Sequence, residues 1–121
     1  MIDVENYKAK SGRHAGKGKG YDDSVTPASN SLRRKRRFLQ DYKMDIGCEN
    51  EECRWDDEFT PEMLHFDHLD PSLKHPGLKT RGSRRGLASL SWKELVIEIS
   101  KCQIICANCH AKKTVDEGEH I

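Results

Sequence analysis

The stretch CANCH, residues 106–110, carries two cysteines separated by two residues, which is the standard spacing of a zinc-ligand pair. An earlier pair, Cys48 and Cys53, has four intervening residues and still falls within the spacing that zinc sites use. The chain between the pairs, residues 54–105, would leave this site, build a fold and return to close it. We therefore predict one structural Zn²⁺ held by four thiolates, those of Cys48, Cys53, Cys106 and Cys109.

The cysteine count separates this interpretation from its alternatives. The chain has five cysteines, and an odd number without a signal peptide favours a reducing compartment and metal binding over disulfides. Cys102 lies where a predicted helix gives way to a strand, and we expect it to be a small buried hydrophobic residue. The alternative for the whole set is five unrelated buried thiols.

The composition describes a small polar domain. Of the 121 residues, 35% are hydrophobic and 34% charged, so we expect one domain with a thin core that a metal site would stabilise. The longest purely apolar run, residues 104–107, is far shorter than the roughly 20 residues that span a bilayer. Acidic residues follow Met1 with no apolar segment behind them, so we expect neither a secretory signal nor a membrane span.

The net charge of +1 conceals an uneven distribution of charged residues. Residues 1–45 contain eleven Lys and Arg against six Asp and Glu, residues 46–70 contain one against nine, and residues 71–121 contain nine against five. Basic blocks on both sides of an acidic one suit a polyanion-binding surface around a site that attracts cations. A solvated surface of mixed charge is the alternative.

Residue patterns divide the chain into a tail and one domain. Residues 1–30 are rich in glycine and basic side chains with little to bury, so we predict a flexible tail. Residues 31–121 form the predicted domain, with a basic helix over about 31–43 and a core over about 45–117. We expect Asn30 or Ser31 to cap the helix, whose apolar stripe comprises Leu32, Phe38, Leu39 and Tyr42.

The remaining elements follow from short local signals. Residues 64–67 predict a strand, and residues 71–90 predict a loop. A capping box over residues 91–94 opens a helix with one apolar face, formed by Trp92, Leu95, Val96 and Ile99. A second strand over residues 103–105 then leads into CANCH, which begins a last helix that ends near Gly118.

The basic helix presents the first candidate binding residues. Five cations within residues 33–37 repel one another unless an anion neutralises them, which favours contact with a nucleic-acid backbone. A solvated helix face is the alternative. The predicted phosphate contacts on this helix are Arg33, Arg34, Arg36 and Arg37.

Histidines and carboxylates in the first predicted strand suggest hydrolytic chemistry. Asp67 and His68 are adjacent there, and His110 directly follows the last cysteine. A carboxylate can grip a hard divalent cation while an imidazole deprotonates a water, and phosphodiester hydrolysis needs both functions. An ordinary polar strand is the alternative, and His65 fits either a supporting contact, an extra ligand or simple packing.

These motifs in this order resemble the zinc-stabilised branch of the HNH endonucleases, in the version common in bacteriophage genomes. The resemblance covers roughly residues 45–115 and rests on Cys48-x4-Cys53, on Phe66-Asp67-His68, and on CANCH followed by Lys112, Lys113 and Thr114. It implies an α+β fold: a small ββα-metal finger, with two antiparallel strands and a helix, over a four-cysteine structural zinc site and with flanking helices. It also implies a cytoplasmic location in a bacterial or phage-infected cell.

The resemblance implies a role for each matching residue. His68 would be the general base, Asp67 and His110 would hold a catalytic Mg²⁺ or Mn²⁺, and DNA would be the substrate. Apart from the resemblance, Lys112 and Lys113 on the last helix and the loop residues Arg81, Arg84 and Arg85 are candidate phosphate contacts, with simple solvation of these cations as the alternative. A phage terminase or another packaging protein is a conceivable partner. The products would carry a 5′-phosphate and a 3′-hydroxyl.

The chain departs from the family pattern at the middle Asn, which orients the base. That position falls at Lys101, so we expect a backbone carbonyl or another side chain, for instance His65 or Asn108, to orient His68. Two other functions stay open: a zinc-ribbon DNA-binding accessory protein without cleavage, and a nuclease that acts on RNA or with little substrate preference.

Overall fold

The computed structural model describes residues 3–9, 17–79 and 86–116. Its helices are α1 (Pro27–Ile46), the single-turn α2 (Pro76–Lys79), α3 (Trp92–Ile99) and α4 (Ala107–Asp116), and its strands are β1 (Leu64–His68) and β2 (Cys102–Cys106). Short 3₁₀ turns precede β1 and α3. Among the described residues, no helix combines the length and apolar character needed to cross a bilayer.

Strands β1 and β2 form a two-stranded antiparallel sheet, and α4 follows β2 without a linker. The register pairs Leu64 with Cys106 at one end and His68 with Cys102 at the other. Leu64 and Ile104 are each 1% exposed and pack against the region of the cysteines. The predicted α+β class and both predicted strands are therefore confirmed, each strand being slightly longer than its pattern indicated.

Helix α1 begins at Pro27, earlier than the sequence patterns indicated. Thr26 is the N-cap, because its hydroxyl accepts the Ser29 N–H at 3.2 Å, so the predicted caps at Asn30 and Ser31 are wrong. Asn30 instead lies inside the helix, fully buried, with its side-chain oxygen accepting the Asp22 N–H at 2.7 Å. The apolar stripe is confirmed: Phe38 and Leu39 are buried, and Leu32 and Tyr42 pack beside them.

The described N-terminal residues pack on α1 rather than standing apart as the predicted tail would. Tyr7 is 1% exposed, meets Phe38 edge-on at 5.3 Å between ring centroids, and donates its hydroxyl hydrogen to Asp41. Gly18 has φ +76°, and a Cβ there would lie 2.7 Å from the Tyr7 carbonyl oxygen. One buried aromatic ring thus anchors the described N-terminal residues, although the average composition of residues 1–30 gave no sign of it. Residues 10–16 lie outside the described residues.

Helix α3 confirms the capping box, since Ser91 Oγ accepts the Glu94 N–H at 3.2 Å. Its buried face differs from the predicted one at two positions. Leu95 and Ile99 are buried as expected, but Val96 is 41% exposed while Glu98 is only 1% exposed. A carboxylate therefore lies on the inner side of this helix. The predicted end of the last helix, Gly118, lies beyond the described residues.

Candidate metal and hydrolytic site

The four predicted zinc ligands converge on one point. Their Sγ atoms all lie within 4.8 Å of one another, with Cys48 and Cys109 separated by 3.8 Å and Cys53 and Cys106 by 3.8 Å. Tetrahedral zinc with Zn–S bonds near 2.3 Å places its sulfurs ~3.8 Å apart. The four cysteines are thus positioned to hold a metal ion, with spacing that suits zinc.

The loop that carries the first cysteine pair is fixed to β2 by hydrogen bonds to and from the backbone of that strand. The Glu49 N–H donates to the Ile104 carbonyl at 2.7 Å, and the Ile104 N–H donates to the Glu49 carboxylate at 2.5 Å. The Cys106 N–H points at Cys48 Sγ, 3.4 Å away. These contacts bring the early pair against the later one without help from a long hydrophobic segment.

Cys102 stands outside this group. Its sulfur lies 3.5 Å from the Glu98 carbonyl oxygen, and burial raises the pKa of the thiol to about 11. Its sulfur is not among the four that lie within 4.8 Å of one another. Cys102 is thus only partly buried, where the sequence predicts a buried residue, and it lies outside the four-cysteine cluster.

Asp67 lies on the face of β1 that is covered by α4. It is 8% exposed, accepts a hydrogen bond from Gln103 at 2.9 Å, and pairs with the ammonium group of Lys113. His110 Nε2 lies 3.6 Å from Asp67 Oδ1. Burial raises the pKa of Asp67, but the hydrogen bonds from Lys113 and Gln103 outweigh burial and hold it below its usual range. The carboxyl is therefore an anion beside an imidazole.

His65 shares that face of the strand, two residues before Asp67. Its Nδ1 lies 3.0 Å from Nδ1 of His110, and the two rings meet edge to face at 81°. Burial lowers the pKa of His65, and the nearby His110 and Lys43 lower it further. His65 thus contacts the ring of His110 rather than that of His68.

His68 points to the other side of β1, where it meets α3. Its Nε2 lies 2.7 Å from Glu98 Oε2, and its side chain is 12% exposed. The same carboxylate accepts the His75 N–H at 2.9 Å and the Lys101 ammonium at 3.0 Å. Burial raises the pKa of Glu98, but these hydrogen bonds outweigh it and lower the pKa to about 2.

Glu98 and Gln103 are the site residues that sequence reasoning missed. Of the two residues expected to orient His68, His65 contacts His110 and Asn108 is exposed. A signal for Glu98 existed in the sequence, because it falls on the same helix face as Leu95 and Ile99, and a carboxylate among buried residues requires partners. Its partner could not be named, since that depends on how β1 packs against α3.

The predicted phosphate contacts fall into different environments. Arg33, Arg36 and Arg37 are exposed on α1, whereas Arg34 is 7% exposed. Among the described residues, Arg34 Nε and Nη1 have no hydrogen-bond partner. Lys112 is exposed, and Lys113 is paired with Asp67. The loop arginines at positions 81, 84 and 85, like His14 and His120, lie outside the described residues.

Four cations of α1 form a basic ridge, which we define as the exposed Arg33, Arg36 and Arg37 together with the partly buried Lys43. The arginines line a shallow depression, and Arg36 and Lys43 line a second one that reaches Phe66 of β1. Lys43 Nζ lies 5.8 Å from the centre of the Phe66 ring. The ridge therefore runs along α1 up to the strand that carries Asp67 and His68.

No protein-family model, no curated protein and no solved structure matches this chain.

Proposed function

We propose that the protein is a metal-dependent DNA endonuclease of the HNH type, which hydrolyses phosphodiester bonds with His68 as the general base. One observation supports this most strongly: Asp67 and His110, which are distant in sequence, lie 3.6 Å apart, and the residue that follows Asp67 in β1 is a histidine held by a buried carboxylate. A domain that only bound zinc through cysteines would not need this second cluster of ionisable groups.

The side chains of Asp67 and His110 fit a divalent cation such as Mg²⁺ or Mn²⁺. A carboxylate and an imidazole are ligand types that such ions accept, and Asp67 is an anion whose present partners are Gln103 and Lys113. A bound ion would supply the positive charge that stabilises the phosphate and the departing oxygen. His65, hydrogen-bonded to His110, would hold that ring in place.

The proposed reaction assigns the proton transfer to His68. The ring accepts a proton from water as the water oxygen attacks phosphorus, and the bond from phosphorus to the 3′-oxygen breaks. The 3′-oxygen takes a proton from solvent, which yields a 3′-hydroxyl and a 5′-phosphate. An imidazole is the side chain most often used as a general base in steps of this kind.

The basic ridge and Lys112 supply the proposed DNA contacts. Arg33, Arg36 and Arg37 are exposed on one side of α1, and Lys43 continues the ridge towards β1. Contacts of this kind with phosphates carry no base information, so we expect the ridge to hold the backbone rather than select a sequence. The four-cysteine cluster would hold a structural Zn²⁺ beneath the site.

A zinc-stabilised DNA-binding protein without cleavage activity is the second candidate. Its support is specific: Lys113 already neutralises Asp67, and Lys101 stands where the family has its middle Asn. An internal ammonium group at that carboxylate would compete with a divalent cation. A nuclease acting on RNA is a variant of the first proposal.

The test uses the zinc-loaded protein with supercoiled plasmid, single-stranded DNA and RNA, each with Mg²⁺, Mn²⁺ or excess chelator. We expect nicked or linear plasmid with either metal, none with chelator, and 5′-phosphate and 3′-hydroxyl ends. Plasmid that is bound but remains intact with every metal would favour the binding protein, and cleavage confined to RNA would reassign the substrate.

A further inference from the structure

We propose that Glu98 is a positioning residue that holds the His68 ring through Nε2–H, so that Nδ1 is the nitrogen that receives the proton from water. The inference deepens the proposed function and rests on it for the role of His68 as a base. It assigns to a residue of α3 the orienting task that the family gives to its middle Asn.

The groups around the Glu98 carboxylate make it a hydrogen-bond acceptor. It is 1% exposed, and two of its three hydrogen-bond partners, the His75 N–H and the Lys101 ammonium, are groups that only donate. They stabilise the ionised form, and the pKa of the group is lowered to about 2. An ionised carboxylate has no hydrogen to give. The hydrogen between Glu98 Oε2 and His68 Nε2, 2.7 Å apart, therefore belongs to the histidine.

The position of that hydrogen decides which ring nitrogen is reactive. A neutral imidazole carries one N–H, so a hydrogen fixed on Nε2 leaves the lone pair on Nδ1. Glu98 thus determines the orientation of the ring as well as the nitrogen that exchanges protons with substrate water.

The arrangement around Glu98 explains how the chain manages without the middle Asn. Lys101, which occupies that position in the sequence, donates to Glu98 Oε1 at 3.0 Å and to the Leu73 carbonyl at 2.9 Å. Leu95 and Ile99, buried on either side of Glu98 along α3, fix the helix face against the core. Lys101 therefore supports Glu98, the residue that orients the base. In this assignment Lys101 does not itself act on His68.

Ring tautomers can be read by NMR without any reference to cleavage. We would record long-range ¹H–¹⁵N correlations of the histidine rings in zinc-loaded protein near neutral pH, and assign His68 by the signals lost in His68→Ala. We expect Nε2 of His68 to carry hydrogen in the parent, and Glu98→Ala to release that preference. A parent protein with hydrogen on Nδ1 alone, or an unchanged tautomer in a folded Glu98→Ala variant, would overturn the assignment.

Cleavage kinetics provide the second readout. Glu98→Ala should lower kcat by about 10- to 100-fold with little change in KM, the range typical of partners that orient a functional side chain. Glu98→Gln keeps an oxygen that can accept from Nε2–H and should recover part of the rate. It also serves as the variant of choice if Glu98→Ala does not fold. The matched control is Glu94→Gln, one turn earlier on α3, whose carboxylate contacts His75 and is about half exposed.

The two readouts separate this inference from the proposed function. A parent that shows the Nε2–H tautomer and never cleaves nucleic acid would refute the nuclease and, with it, the catalytic role of Glu98. Cleavage by a parent whose His68 carries hydrogen on Nδ1 alone would leave the nuclease intact and refute the role of Glu98. Equal kcat values in the parent, Glu98→Ala and Glu98→Gln would also refute the role of Glu98 and leave the nuclease intact.

Discussion

Two nearly inaccessible carboxylates, Asp67 and Glu98, lie on opposite sides of β1, and each is surrounded by donors. Burying an anion is unfavourable unless hydrogen bonds and opposite charge compensate for the lost water. Asp67 has Gln103 and Lys113, and Glu98 has His68, Lys101 and the His75 backbone. The pKa of each carboxyl is lowered accordingly. The site thus contains two buried anions, although the chain as a whole has almost no net charge.

The low pKa of Glu98 makes a measurable prediction about acid. Because the pKa of Glu98 is lower in the folded protein than in the unfolded chain, the unfolded chain binds the proton more readily. The stabilising contribution of Glu98 is therefore present above pH ~4.3, and it is lost as the pH falls towards about 2, the pKa in the folded protein. We expect the carboxyl ¹³C signal of Glu98 to stay at its ionised position while the pH passes through ~4.3. A midpoint near the value of model peptides would contradict the hydrogen-bond account.

The sequence was enough to name many of the site residues, but not to name the residues that each of them contacts. The cysteine spacing was enough to select the four residues that the structure brings together, because zinc-ligand pairs are local in sequence. The partner of His68 was not predictable, because Glu98 and His68 meet only through the packing of α3 on β1. A buried position for Arg34 was equally hidden within a run of cations.

Sequence patterns predicted helices and strands reliably where one face of the element is buried. They failed at the start of α1, where the helix cap was overlooked. The two strands and the Ser91 cap of α3 agree with prediction, since strand patterns and the Ser91 to Glu94 spacing are local signals, whereas the antiparallel pairing was implied only by the family resemblance. The start of α1 was missed although Thr26 followed by Pro27 is a strong helix start, with Pro at the first helical position. Tyr7 shows that one aromatic residue can dock a segment whose composition reads as unstructured.

The two faces of α3 predict very different effects of truncation. Leu95 is fully buried, and Leu95→Ala should lower the free energy of unfolding by roughly 2–5 kcal/mol, because it removes apolar contacts and leaves a cavity. The adjacent Val96 is 41% exposed, and Val96→Ala should change it by less than about 0.5 kcal/mol. Denaturant unfolding of both zinc-loaded variants checks this, and similar losses would contradict the helix orientation.

The basic ridge of α1 predicts a salt-dependent DNA affinity. If Arg36 contacts a phosphate, Arg36→Ala should weaken binding uniformly across sequences and reduce the slope of log affinity against log salt by about 1. Lys93→Ala, an exposed cation on α3, is the matched control and should leave the slope unchanged. Binding titrations over a range of salt concentrations measure both slopes, and equal slopes for Arg36→Ala and the parent would remove Arg36 from the surface.

The molecule as a whole is stabilised by two small clusters of buried residues. One joins Tyr7, α1 and α3, and the other surrounds Leu64, Ile104 and the cysteines. Tyr42 and Phe66 pack against both and stack on each other with ring centroids 6.0 Å apart. The second cluster has few apolar residues of its own. A metal bound by the cysteines would therefore supply stability that these few residues do not provide.

Removing one ligand should therefore affect the whole molecule. Cys106→Ser is expected to lose bound zinc and, with it, cooperative unfolding, because the buried thiolate closes the four-cysteine cluster. Cys102→Ser changes a cysteine outside the cluster and should keep its zinc. Metal analysis and thermal unfolding of the two variants decide the matter, and a folded, zinc-free Cys106→Ser protein would contradict a structural metal site.

The most direct measurement of the central claim is plasmid cleavage by the parent and His68→Ala with Mn²⁺ or Mg²⁺, at matched zinc content and with Lys93→Ala as a control. Loss of the general base should lower the cleavage rate by about 10²- to 10⁴-fold while zinc and fold are retained. Lys93→Ala should cut like the parent. Cleavage by His68→Ala at the rate of the parent would contradict the assignment of this site as a nuclease centre.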